Sequence, residues 1–209
     1  MEFKGGKFHE SLRRHFASTE APHDFSLHRA RGDLPPELLP SPPWKPASVL
    51  LPVVARPEGA TLLFTRRTER LHDHAGQVSF PGGGREASDR DAVDTALRET
   101  EEEIGLRRRQ VEVLGFLEGY LTVSGYAVTP VVGLVAPGFD LTPDPLEVAE
   151  VFEAPLAFLA DPGNREVRER EYAGRMLGYY LFKYGEQVIW GATAAMLVTF
   201  LDCLKVERS

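Results

Sequence analysis

Three consecutive glycines set just ahead of an acidic helix constrain this chain more than any other feature. Phe80-Pro81-Gly82-Gly83-Gly84 is followed, after a short polar stretch, by a segment ending Arg98-Glu99-Thr100-Glu101-Glu102-Glu103-Ile104-Gly105-Leu106. The apolar positions Ala92, Val93, Ala96, Leu97 and Ile104 have helical spacing, with Ser88 or Asp89 available as N-cap and Gly105 as the C′ stop. On such a helix Glu99, Glu102 and Glu103 share one face, and Arg98 and Glu102 are i,i+4 neighbours. The stripe offers hard oxygen ligands of the kind that hold Mg2+ or Mn2+, and such a cation can neutralise a bridged phosphate. The plainer alternative for an acidic run is a solvated helix face.

With 209 residues, 43% hydrophobic and 10% aromatic, the chain has the composition of a globular protein with one main domain. Its net charge of −7 excludes the basic footprint of a general nucleic-acid or membrane-surface binder. Cys203 is the only cysteine, so an intrachain disulfide is impossible, and a cytoplasmic location is expected. Met1 to Glu10 carries no apolar export signal, and no run is long enough to span a membrane.

Residues 1–46 read as a proline-rich extension lying on the domain, with a short helix over Phe8–Phe16, a proline-dense stretch from Arg31 to Pro46 and Trp44 as anchor. The organised domain is expected over residues 47–209. Val49–Val54 and Ala60–Thr65 predict a hairpin around Arg56–Gly59. Val111–Leu117 and Ala127–Val135 predict further strands, and Glu147–Phe152 a strand or turn. Pro155–Leu159 reads as a short helix before an Asp161–Asn164 turn. Tyr179–Phe182 and Val188–Trp190 form a late hairpin, and Ala192–Val206 a final helix. The order predicts an α/β (α+β) fold with a mixed sheet between helices.

The helix resembles the second half of the Nudix hydrolase box, Arg-Glu-U-x-Glu-Glu-x-Gly-U with U bulky and apolar. Arg98, Glu99, Glu102, Glu103, Gly105 and Leu106 fall in register, and Thr100 replaces the apolar residue. The first half departs. If Gly84 is the box glycine, Arg90 stands where Glu belongs; if Gly83 is, Asp89 takes that place and one residue is inserted before Arg98. The second register is preferred, because it is similar to the subgroup that hydrolyses coenzyme A. Leu62–Arg67, Leu71 and Ala75–Gly83 resemble that subgroup's upstream motif, with His72 where arginine is common. Thr122–Gly133 and Ile189–Leu197 resemble its downstream segments.

The resemblance implies an α/β/α sandwich and a Mg2+- or Mn2+-dependent hydrolase splitting coenzyme A into 3′,5′-ADP and 4′-phosphopantetheine. Glu99, Glu102 and Glu103 are assigned as metal ligands, the resemblance adding the Gly83 carbonyl, and Arg98 orients the carboxylates by ion pairing; one of the glutamates, Glu102 by preference, acts on the water, so that Arg98, Glu102 and Glu103 are the catalytic candidates. Arg66, Arg67, Gln77, Phe80 and Gly82 are implied at the substrate. Arg66, Arg67 and Arg70 suit its phosphates, or alternatively pair with surface acids. His72 and His74 read as solvated polar residues, Cys203 as buried and inert, and Ser124-Gly125 lacks the flanks of a nucleophile elbow. A Nudix enzyme of ADP-ribose or NADH and a non-catalytic ligand-binding regulator are the competing readings. A homodimer is left open.

Overall fold

The structure is a computed structural model that describes residues 3–22, 40–70 and 74–206. Arg31–Pro36, Leu71 and His72 lie outside the described residues. Helix α1 spans Gly5–Phe16, and strands β1 (Lys45–Val54), β2 (Thr61–Arg67), β3 (Val78–Ser79) and β4 (Gly82–Gly84) lead into helix α2 (Ala92–Ile104). Strands β5 (Val111–Phe116), β6 (Tyr120–Leu121), β7 (Tyr126–Val135) and β8 (Val148–Pro155) precede the short helix α3 (Leu156–Ala160). Strands β9 (Arg165–Tyr172), β10 (Arg175–Tyr184) and β11 (Gln187–Trp190) then lead to helix α4 (Gly191–Val206).

The main sheet is mixed and 8-stranded, with β1 at its centre, parallel to β7 and antiparallel to β2 and β4. The apolar run Val49–Val54 is what a strand buried on both faces requires. Alternation sends Leu51 and Val53 into a core with Leu12, Phe16, Leu156, Leu159 and Phe200 of α1, α3 and α4. Leu50 and Val54 face a second core with Ala96, Leu97 and Ile104 of α2. Helices therefore cover both faces of the sheet, as expected for an α/β/α sandwich. Among the described residues no helix is long and apolar enough to cross a membrane.

The predicted β1–β2 hairpin exists only at its base, where Val53 faces Leu62 and Val54 faces Thr61. Beyond it the strands part. The Leu50 N–H donates to Pro81 O at 2.9 Å, and Ala47–Val49 pair with Gly84–Gly82. The glycine segment is thus a strand, although three glycines carry no strand signal of their own. Gly82 has φ +148°, and a Cβ there would strike the Ser48 carbonyl. This insertion makes the glycines the part of the sheet that faces the acidic end of α2.

Three other elements differ from the expectation. Asp91, rather than Ser88 or Asp89, caps α2, its side chain accepting from Asp94 N at 2.8 Å. The charged run Arg165–Tyr172 is a strand, β9, pairing with β10 to form a 3-stranded sheet with β11. Its middle is exposed on both faces, so no apolar alternation marks it. Trp44 is half-buried and donates its indole N–H locally to Pro40 O at 2.7 Å. The N-terminal helix is held instead by Phe8, Leu12 and Phe16, with Phe16 stacked on Phe200 at 6.1 Å. Thr19 Oγ1 also accepts from Phe116 N at 2.8 Å beside the helix end.

Phe16 is 1% exposed, so Phe16→Ala is expected to cost about 3–5 kcal/mol in denaturant unfolding. Arg13→Ala removes only an exposed pair with Glu112 and is expected to leave the midpoint nearly unchanged.

Candidate active site

Helix α2 is fastened to the glycine strand through Arg98. Its Nε donates to Asp89 Oδ1 at 2.9 Å and its Nη2 to Asp89 Oδ2 at 3.0 Å and to Gly84 O at 3.0 Å. The Asp89 side chain is 2% exposed and also accepts from Glu86 N at 2.8 Å and Thr95 Oγ1 at 3.0 Å. The Arg98 hydrogen bonds hold its carboxyl well below the usual range, outweighing its burial. Arg90, the occupant of the competing box register, lies at the surface and pairs with Asp94 at 3.3 Å. Geometry therefore sets Asp89, reached by one extra residue, as the partner of Arg98.

The remaining arm of Arg98 faces the acidic stripe. Its Nη1 lies 2.9 Å from Glu99 Oε1 and 2.9 Å from Glu102 Oε2. Glu102 is 60% exposed and forms the outer rim, whereas Glu99 is 18% and Glu103 6% exposed. Glu103 Oε2 accepts from the Gly82 N–H at 3.0 Å. Burial pushes the Glu103 carboxyl up to about 7 despite that bond and the Arg67 guanidinium 4.0 Å away. Burial also raises the Glu99 carboxyl, with the charges of Glu102 and Glu147 adding to it, and the charges of Glu147 and Glu99 add to the rise at Glu103. Glu147 lies outside the helix, just before β8, and was not singled out from the sequence as a site residue. No local pattern marks it; only the β2–β8 pairing, with the Thr68 N–H donating to Glu147 O at 2.9 Å, brings it here.

Gly83 completes the arrangement, since a Cβ there would occupy the space of the Glu99 carboxylate. A buried and a half-buried carboxylate on one helix face, crowded against bare glycine backbone, suit a hard divalent cation. Among the described residues no three carboxylate, thiolate or imidazole side chains already converge on one point.

The basic residues divide. Arg67 faces Glu103, and its Nε is buried with no hydrogen-bond partner among the described residues. Arg66 instead pairs with Glu150 at 3.2 Å, which also accepts from Gln187 Nε2 at 2.9 Å. Arg70 is exposed. Gln77 accepts the Arg67 N–H on its backbone carbonyl at 3.0 Å, and its side chain meets His74 Nδ1 at 3.0 Å. Phe80, expected at the substrate, is 1% exposed and stacked on Phe64 at 4.9 Å. That is a core position, which its place between β3 and β4 dictates. Gly82 contributes its N–H to Glu103.

Residues 44–170 match the profile of the NUDIX domain. The chain belongs to the Nudix family. It is 43% identical over 174 residues to an uncharacterized Nudix hydrolase NudL of Pectobacterium atrosepticum, covering 82% of this chain and 88% of that protein. To the NudL of Photorhabdus laumondii it is 42% identical over 151 residues, covering 72% and 80%. Among solved structures, a MutT/nudix family protein of Enterococcus faecalis matches with TM-score 0.53 at 18% identity, over 83% of this chain and 65% of that one. The MutT protein of Methanosarcina mazei matches with TM-score 0.52 at 16% identity, over 80% and 97%. The Nudix fold and a hydrolase activity are thereby established, and Nudix hydrolases generally use divalent metal ions.

The burial of Glu103 predicts opposite effects on stability and activity. The folded metal-free chain holds the Glu103 proton more tightly than the unfolded chain. Its contribution is therefore favourable below about pH 4.5 and is lost as pH rises toward about 7. Glu103→Gln should remove that loss, stabilising the metal-free protein near pH 8 by on the order of 2 to 3 kcal/mol, while abolishing most turnover. Thermal melts from pH 4 to about 8 check the sign.

Proposed function

We propose that this Nudix hydrolase cleaves the diphosphate of coenzyme A or a derivative, releasing 3′,5′-ADP and 4′-phosphopantetheine. The observation that carries the reading is Arg67. Within the Leu62–Gly83 segment that resembles the coenzyme A subgroup, it sits 4.0 Å from Glu103 with its Nε unpaired among the described residues. A buried guanidinium donor left open beside paired carboxylates is suited to a phosphate oxygen.

In this reading Glu99 and Glu103, with Glu102 at the rim and the Gly83 carbonyl, hold Mg2+ or Mn2+. The cation supplies charge neutralisation on the phosphoryl oxygens. Arg67 binds and orients the diphosphate, Gly82 fixes the Glu103 carboxylate, and Arg98 aligns Glu99 and Glu102. The Glu102 or Glu103 carboxylate accepts a proton from the attacking water. Residues 1–46 are proposed as an extension of a catalytic domain over 47–209, working in the cytoplasm.

Product masses from coenzyme A, 3′-dephospho-coenzyme A, ADP-ribose and NADH test the substrate. The expected result is preference for coenzyme A with 3′,5′-ADP released; preference for ADP-ribose or NADH assigns the enzyme to another substrate, and no turnover of any supports a regulator. Arg67→Ala is expected to lower kcat/KM roughly 10- to 100-fold, the loss of one charge-assisted phosphate contact. Arg66→Ala, which disturbs only the Glu150 pair, is expected to change it far less.

A further inference from the structure

The strand β9 is an edge. Among the described residues its ladder partner is β10 alone, and the 3-stranded sheet runs β11-β10-β9. Apart from the Arg165 N–H, which bonds back to Pro162 O, none of its backbone groups bonds outside the sheet among the described residues. At the middle of this edge Val167 is 67% exposed. Long exposed edges are hazards that proteins guard, commonly with charge. Here the charges follow a particular order: Arg165-Glu166-Val167-Arg168-Glu169.

That order is self-complementary when read in opposite directions. If β9 lies antiparallel to a second β9 with Val167 opposite Val167, then Glu166 stands opposite Arg168 of the other copy and Arg165 opposite Glu169. Each pairing occurs twice by symmetry. Glu166 and Arg168 share one face of the strand, and Arg165, Val167 and Glu169 the other. Neighbouring registers fail. Centring on Glu166 or on Arg168 sets like charges directly opposite. Centring on Glu169 also opposes Arg168 to Arg170, and centring on Arg170 opposes Glu169 to Glu171. The pairing ends naturally at the Pro162–Asn164 turn.

We propose that the outer edge of β9 is a homodimer seam, joining two copies of this chain antiparallel about Val167 into a continuous six-stranded sheet. The exposed ribbon, which as a two-stranded hairpin is marginal in water, gains a paired edge, and Val167 gains an apolar partner. The seam is small and flanked by charge pairs, so association is reversible and weakens with salt.

Sedimentation of the full chain across protein concentration tests this, with a charge exchange as the decisive comparison. Wild type should show a concentration-dependent dimer that weakens as salt rises. Glu169→Arg sets Arg opposite Arg at two symmetric places and should raise the dimer dissociation constant at least roughly tenfold. The double variant Arg165→Glu with Glu169→Arg exchanges the charges and should restore it, with thermal melts showing that each variant folds. In a Cys203→Ser background, Val167→Cys should form an intermolecular disulfide on mild oxidation, because directly opposed residues lie within disulfide reach. A monomer at every concentration overturns the seam, as does a dimer indifferent to Glu169→Arg, failure of the charge exchange to restore association, or failure of Val167→Cys to cross-link.

Discussion

The buried pair between Arg98 and Asp89 is the interaction on which the site depends. It is bidentate, nearly sealed from water, and shared with Gly84 O, Glu86 N and Thr95 Oγ1. A charge pair taken out of solvent earns its place only when every remaining donor and acceptor is used, and here Asp89 is saturated. The consequence is geometric. The polar turn after the glycines is tied to the middle of α2, so the helix cannot slide along the sheet, and Glu99 and Glu103 are kept against Gly82 and Gly83. Removing one partner would strand the other charge in the interior.

The second constraint is close backbone approach. Gly82 runs against the Ser48 carbonyl and Gly83 against the Glu99 carboxylate. Any side chain at either position would push the strand off β1 or the carboxylate out of place. The low exposure of Glu103 follows from this closeness, and so does its reluctance to ionise. The protein accepts an unfavourable buried acid where the proposed chemistry needs one, a compromise typical of functional sites.

Much of this was legible in the sequence. The helix and its Gly105 stop, the shared face of the three glutamates and the fold class all follow from spacing and from the box. What escaped depended on long-range pairing. Three glycines give no strand signal, yet β1 recruits them as β4. Arg165–Tyr172 shows charge rather than apolar alternation and is fixed as β9 only by β10. Adjacent strand residues face opposite ways, so Arg66 and Arg67 read as one cluster while the structure divides them between Glu150 and Glu103. Phe80 occurs in a motif that suggests substrate contact, but it lies in the core. Asp89 was legible as the stand-in for the box glutamate, though its burial and its saturation by Thr95 and Glu86 were not.

The central claim is that the face of α2 presented to Gly82–Gly84 binds a divalent cation before any substrate arrives. Titrating the metal-free protein with Mn2+ and following the free-ion electron paramagnetic resonance signal tests this most directly. The account predicts saturable binding by wild type, at least roughly tenfold weaker binding by Glu99→Gln and by Glu103→Gln, and unchanged binding by Arg66→Ala. Wild-type affinity in both glutamate variants would contradict it.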